Sequence, residues 1–339
     1  MEEPMISVIV VTYCQEDTLG RTLDSILAQE LDCPYEILVS DDCSSDSTVD
    51  VARRYAERYP EIVRVHVNER NLGVQANYFG AMRRAKGELI ADCAGDDYWC
   101  DCHKLQRQLD ILRIRADVSL VHTGFEYEDP DGRRERFLPV GERPPFEPGV
   151  RTLRKILTDE DKPYIHLCTA LYRKAPILKA LDESPELFLN PEYKCEDLQV
   201  ECTAAASGEI AYIPEATLIY SRGHESISSE DNYAKNFEFY FATTKLRLQL
   251  LRRYGIGAEA TGMIIGRYVD YLMSQAFHEG NKVNALRLRK WMEREGVRSP
   301  LKARIYEFLL WSGMSRGVST LIRGAKTLRR RESATPRSQ

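Results

Sequence analysis

The sequence predicts an α/β fold: a chiefly parallel sheet with helices on both faces, followed by an all-helical C-terminal extension. Three observations carry this. β-branched apolar runs alternate with helix-period segments through the first 130 residues, and βαβα order calls for parallel strands joined by crossover helices. Polar clusters recur where the runs end, at Thr12-Tyr13, Asp41-Asp42 and Asp96-Asp97, where ligands bind in such sheets. From Asn236 onward strand signals give way to helical ones alone.

The elements follow in order. Ile6 to Thr12 (ISVIVVT) is β-branched and apolar, as a strand covered on both faces should be. Asp17 or Thr18 offers a cap for a helix to about Gln29, with Leu19, Leu23, Ile26 and Leu27 at helical spacing. Tyr35 to Ser40 is a strand, and Ser44, Ser45 and Asp46 offer caps for a helix to about Tyr59. A strand at 63–67, a helix at 74–85, a strand at 88–93, a helix at 104–115 and a strand at 119–127 complete the alternation. Asp129 to Gly149, rich in Pro, Gly and charge, reads as a mobile loop. A helix at 151–157, a strand at 167–173, a helix at 197–207 and a strand at 217–222 come next. Helices are expected at 236–254, 257–279, 282–295, 298–312 and 316–330, with a disordered tail at 332–339.

Composition sets bounds. The 339 residues are 43% hydrophobic and 29% charged, enough apolar material for a sizeable core. The net charge of -5 conceals an asymmetry: Lys282 to Gln339 holds 15 basic and 4 acidic residues. An acidic N-terminus (Glu2, Glu3) argues against a signal peptide, and no window reaches the ~18 apolar residues of a membrane span. Nine scattered cysteines read as reduced thiols, so a cytoplasmic protein is expected. The acidic body and the lack of a recognised motif argue against nucleic acid.

Four stretches carry chemistry. Asp96-Asp97 at a strand end suits Mg²⁺ or Mn²⁺ bridging a diphosphate; an Asp-Asp turn is the plainer alternative. Asp41 to Asp46 suits a carboxylate that receives a base or ribose, or a helix cap. Glu196-Asp197 opens a helix, as an N-cap or as a general base for an acceptor hydroxyl. His224 in RGHESIS is a candidate metal ligand. Cys100-Asp-Cys-His103 places three donors within one turn, with no second Cys/His pair at finger spacing, which argues against zinc. Walker A, Rossmann G-x-G-x-x-G and G-x-S-x-G sequences are absent.

Six stretches together bear a resemblance: Ser7 to Gln29, EILVSDDCSSDST at 36–48, Asn68 to Ala91, GDDYW at 95–99, CEDLQ at 195–199 and RGHESIS at 222–228. In this order and spacing they resemble the family 2 glycosyltransferases of the GT-A fold, over about two thirds of the chain. The resemblance implies a Rossmann-like mixed sheet flanked by helices. It implies a catalytic domain over residues 1–228, with 1–128 binding the nucleotide and 129–228 the acceptor, and a helical extension at 229–331. Thr12, Tyr13 and Glu16 then match the first nucleotide loop, and Asp42, with Asp41 beside it, the carboxylate that reads base or ribose. Asn71 and Gly73 match a loop closing over the nucleotide, and Asp96 the metal carboxylate, which also touches the donor. Asp97 and His224 are expected at the metal, and Asp197 as the base. The implied reaction is inverting transfer of a sugar, from a UDP-sugar first of all, to a glycan or lipid-linked acceptor in cell-surface polysaccharide synthesis.

Departures are also visible. Ala94 stands where relatives carry Asp or Glu, Cys14 where Asn is frequent, Cys43 where Gly is frequent, and Cys100 and Cys102 where Thr and Pro are common. Ala94 favours a non-catalytic nucleotide-sugar-binding scaffold as the alternative. A sugar-phosphate nucleotidyltransferase is disfavoured, because residues 11–20 lack a Gly-rich basic loop. The basic, apolar-flecked segment at 302–331 suggests peripheral contact with the cytoplasmic face of a membrane, or a helical cap with a solvated basic face.

Overall fold

The computed structural model describes residues 3–138, 143–158, 165–223 and 232–313. The chain divides into two compact units, Met1–His224 and Glu225–Gln339.

The first unit is a ten-stranded mixed sheet with flanking helices. Strands β1 (Ile6–Thr12), β2 (Tyr35–Asp41), β3 (Val63–Val67) and β4 (Leu89–Asp92) alternate with α1 (Leu19–Leu27), α2 (Thr48–Arg58) and α3 (Val74–Arg84). Then come β5 (Tyr98–Trp99), α4 (Lys104–Ile114), β6 (Val118–Glu128), β7 (Arg134–Arg136), β8 (Phe146–Glu147) and α5 (Gly149–Thr158). A 3-10 turn at Leu167–Thr169 leads into β9 (Leu171–Arg173), α6 (Lys174–Glu183), α7 (Pro185–Phe188), α8 (Asp197–Ser207) and β10 (Glu209–Ser221).

The strand order is β3-β2-β1-β4-β9-β6-β10-β5. The pairs β3–β2, β2–β1, β1–β4 and β6–β10 are parallel. β9 is antiparallel to both β4 and β6. One reversed strand therefore lets β4 and β6 point the same way, and their carboxyl ends share an edge with those of β1 and β2. The core is the apolar set the sequence announced, including Ile6, Val8, Val10, Leu23, Ile37, Val39 and Ala91.

Three expectations are corrected. The stretch read as a mobile loop, Asp129 to Gly149, contributes β7, paired with β6, and β8, paired with β10. The strand expected at 167–173 is a 3-10 turn followed by a three-residue strand. The strand expected at 217–222 begins at Glu209, and register shifts between Ile213 and Leu218 interrupt it. Gly149 opens α5 where a β-carbon would overlap the carbonyls of Ala205 and Gly208, so only glycine permits that approach to the end of α8.

The second unit holds α9 (Tyr233–Arg253), α10 (Ala258–Glu279), α11 (Lys282–Glu295) and α12 (Leu301–Trp311). α10 packs against each of the others, through buried Phe237, Leu246, Ile265, Leu272, Phe277, Leu288 and Trp291. Asn232 and Asn281 cap helix starts by accepting from the Lys235 and Asn284 amides, and Gly280 and Gly296 end helices in left-handed conformation. The helix and tail expected at 316–330 and 332–339 lie outside the described residues.

Candidate active site

The loops after β1 and β2 are laced together. The Cys14 amide donates to Ser44 Oγ at 2.8 Å, Gln15 N to Thr48 Oγ1 at 2.7 Å and Ser47 N to Glu16 Oε2 at 2.7 Å. Cys14 and Cys43 adopt positive φ, 54° and 65°. Left-handed backbone favours Asn and Gly, so the two cysteines noted in the sequence stand at the two strained corners of this pair of loops. Thr12 is buried, and Tyr13 is 53% exposed beside it. Thr18, expected as a cap, instead donates its hydroxyl to Gly95 O at 2.8 Å, tying α1 to the Asp96 loop.

The acidic pair after β2 is engaged by protein. Asp41, fully buried, accepts from Ser44 N at 2.8 Å and Ser44 Oγ at 2.5 Å. Asp42 Oδ1 accepts from Asn68 Nδ2 at 2.9 Å and Leu72 N at 2.8 Å, and its Oδ2 from Gly73 N at 2.8 Å. Asn71 Oδ1 also receives Gly73 N, at 3.2 Å. Gly73, at φ 85°, is the N-cap of α3. Asp41 thus fixes the corner at Ser44, and Asp42 holds the 68–73 turn on two amides.

Asp96 and Asp97 differ. Asp96 is partly exposed, whereas Asp97 is 2% exposed and accepts from Ser221 N at 3.1 Å. Burial, then the Asp96 charge beside it, pushes the Asp97 carboxyl well above its usual range. A β-carbon at Gly95 would overlap Gln15 Oε1 and crowd Thr12 Oγ1. Those two oxygens are buried without hydrogen-bond partners. Orphaned oxygens beside a carboxylate pair are hard donors, and this set fits Mg²⁺ or Mn²⁺. His224, the third expected metal ligand, lies outside the described residues.

Asp197, the first residue of α8, is exposed, yet neighbouring protein desolvates its carboxyl. Desolvation there raises it to about 6. Its neighbour Glu196 is raised well above its usual value by burial and then by the Asp197 and Asp92 charges. Gln75, in the first turn of α3, donates its amide to Cys195 O at 3.1 Å. The turn that Asp42 grips and the turn that presents Asp197 are therefore joined through the start of one helix. Burial raises the Cys168 thiol, as do charges that include both Asp97 and Asp197.

Sequence reasoning gave no role to Lys104, and weighed Asp92 only as a deep substitute for the carboxylate missing at Ala94. Asp92 is 5% exposed, and burial raises it to about 7, against the pull of the Tyr78 and Tyr172 hydroxyls. Those hydroxyls meet each other at 2.5 Å. Lys104, fully buried, donates to Gln108 at 2.8 Å and lies 4.4 Å from the Trp99 ring centroid. Gln108 in turn donates to Val121 O and Thr169 O, both at 2.8 Å. Lys104 thus braces the segment after Asp97 from beneath. The signal was present: Lys and Gln at i, i+4 on the face of a helix that also carries Leu105 and Leu109.

An uncharacterized protein of Mycobacterium tuberculosis is 28% identical over 218 residues, 64% of this chain and 58% of that protein. The chain thus spans somewhat over half the length of the curated relatives it matches first. The Bacillus subtilis protein TuaG, named as a putative teichuronic acid biosynthesis glycosyltransferase, is 32% identical over 130 residues, 38% of this chain and 50% of that protein. Among solved structures, Staphylococcus aureus TarS in complex with UDP-GlcNAc superposes with a TM-score of 0.57 at 20% identity, covering 84% of this chain and 78% of that one. The mannosyltransferase PcManGT of Pyrobaculum calidifontis, in complex with GDP-Man and Mn²⁺, gives 0.50 at 16% identity, covering 95% and 88%. These neighbours share the GT-A fold, as the mixed sheet indicates. The profile described as Glycosyl transferase family 2 matches residues 7–180, just over half the chain and the stretch that holds the laced loops and the acidic pair. On that match the chain belongs to glycosyl transferase family 2.

Proposed function

We propose that the chain is a metal-dependent, inverting glycosyltransferase using a nucleoside-diphosphate sugar, a UDP-sugar first of all. Its acceptor is a hydroxyl of a glycan or lipid-linked glycan in cell-surface polysaccharide synthesis. The observation that carries this reading is the junction at the start of α3, where Gly73 donates to Asp42 and Gln75 to Cys195 O. A donor loop and a candidate base that are distant in sequence thereby share one support.

In this reading Tyr13, exposed at the end of β1, offers its ring to the base, with Thr12 and Glu16 shaping the loop beneath it. Asn71 and Gly73 line the turn over the nucleotide, held by Asp42, while Asp41 fixes the corner at Ser44. Asp96 would hold the Mg²⁺ or Mn²⁺, with Asp97 fixing its loop to the end of β10 and His224 as a further ligand. When bound, such a cation stabilises charge on the departing diphosphate. Asp197 takes the proton of the acceptor hydroxyl as that oxygen bonds to the anomeric carbon. The bond from that carbon to the diphosphate oxygen breaks on the opposite face, its electron pair leaving with the nucleotide. A single displacement inverts the centre.

The structures of TarS with UDP-GlcNAc and of PcManGT with GDP-Man and Mn²⁺ support the donor class and the cation. The name of TuaG supports the polymer class. Contact with the cytoplasmic face of a membrane is supported by α12, where Leu301, Ile305, Phe308 and Trp311 recur on one helical face and are all exposed. No described helix is long and apolar enough to cross a membrane.

Calorimetry with UDP and GDP, with and without Mn²⁺, followed by product detection with a panel of nucleotide sugars, tests the proposal. Metal-dependent binding and transfer or slow donor hydrolysis are expected. Binding without any turnover would favour the scaffold alternative that Ala94 suggests.

A further inference from the structure

We propose that Glu30, Cys102 and His103 form a zinc-binding site away from the acidic cleft. A carboxylate oxygen of Glu30, the Sγ of Cys102 and a ring nitrogen of His103 lie within 4.8 Å of one another. His103 Nδ1 stands 3.7 Å from Glu30 Oε2. Tetrahedral zinc with bonds of about 2.0–2.3 Å sets its donors roughly 3.3–3.7 Å apart. One pair already has that spacing, and closing the rest takes a side-chain adjustment of about 1 Å.

The donors come from two segments held in fixed register. Glu30 follows α1, and its amide donates to Cys102 O at 2.9 Å. Gln29 bridges the same segments, donating to Asp101 O at 2.8 Å and accepting from Leu105 N at 3.0 Å. Asp32 N donates to Gln106 Oε1 at 2.9 Å, and the Asp32 carboxylate takes Arg113 on both oxygens. The backbone that carries the ligands is thus in place before any ion arrives. Asp101 is committed elsewhere, to His103 N and Arg107. The site therefore offers three protein donors and leaves the fourth position to water.

The chemistry of the set selects the ion. Thiolate and imidazole prefer borderline-soft zinc, whereas the oxygen donors around Asp96 suit magnesium or manganese. Sequence spacing argued against zinc because it saw only Cys100 to His103; the third ligand stands 72 residues earlier, at Glu30. A bound ion would clamp the end of α1 to the start of α4, the two elements that flank the Asp96–Trp99 segment. Binding displaces the thiol proton of Cys102 to solvent and forms the metal–sulfur bond.

The test uses the full chain, stripped with chelator and titrated with Co²⁺. The expected result is one equivalent of a near-ultraviolet thiolate-to-cobalt band with visible d–d bands of a four-coordinate ion, abolished by adding Zn²⁺. C102S should lose the thiolate band, C100S should keep it, and H103A and E30Q should weaken binding by roughly tenfold or more. Zinc should raise the melting temperature of the wild type and not that of C102S. No thiolate band in the wild type, or a band that survives C102S, overturns the assignment. Neither readout involves sugar transfer or the acidic cleft.

Discussion

The side-chain amide of Gln75 donates to the backbone carbonyl of Cys195 at 3.1 Å, across 120 residues of sequence. Gln75 is buried, so this bond fixes the turn before Asp197 rather than decorating it. Gln75→Ala should lower kcat by roughly five- to tenfold, the worth of about 1 kcal/mol of lost positioning. UDP affinity, measured by calorimetry, should stay within about twofold. An equal loss in donor affinity would show that Gln75 serves the nucleotide instead.

Asp197→Asn should reduce transfer by a factor on the order of 10²–10⁴ and leave donor binding intact. Desolvation by neighbouring protein raises the Asp197 carboxyl to about 6, and a base must be ionised to accept a proton. The wild-type rate should therefore fall as pH drops through about 6 and level off above it. Stopped assays from pH 5 to 8 measure this, and the Asn variant should show no such limb.

Asp92 links stability to pH. Its buried carboxyl has a folded value of about 7, above its ordinary 3.8. Between those values the native state holds a proton that the unfolded chain has released. Stability from this group thus falls as pH rises from about 4 to 7, and the penalty is complete above 7. Asp92→Asn removes the penalty, so urea unfolding should show a larger gain over wild type at pH 8 than at pH 5. A gain independent of pH would assign the effect to packing.

The corners at Cys14 and Cys43 carry left-handed backbone. Cys14→Asn should stabilise the protein by about 1 kcal/mol, because Asn tolerates this conformation better. Thermal melts should show a rise of roughly 2–4 °C.

The exposed stripe on α12 predicts binding to anionic vesicles. Replacing Ile305 and Phe308 together with Glu should weaken co-sedimentation with phosphatidylserine vesicles by tenfold or more, given about 1.5–3 kcal/mol per buried apolar side chain. Wild-type protein that stays in the supernatant would refute the membrane reading.

Much of the first unit was legible because its strands are covered on both faces and its helices are amphipathic. Ile6 to Thr12 and Val63 to Val67 were placed to the residue. The missed elements carried misleading signals. α6 follows β9 directly, and its Pro176 reads as a breaker, although proline is tolerated in a helix's first turn. β7 and β8 are short and lie in a Pro/Gly-rich stretch, so only tertiary pairing defines them. The acidic motifs were legible as types, but their commitments were not. That Asp42 is held by Leu72 and Gly73 amides depends on a turn brought 30 residues back to it. The brace from Lys104 to Trp99 required knowing which face of α4 is buried.

The three residues of β9 lie between β4 and β6, and these two strands are not paired with each other. A fragment ending near residue 128 would hold the loops after β1, β2 and β4 yet leave two raw edges in the middle of its sheet. Residues 1–128 are thus not a self-contained sheet. During synthesis the sheet cannot close until Arg173 has emerged, and until then β4 and β6 each lack the neighbour that separates them.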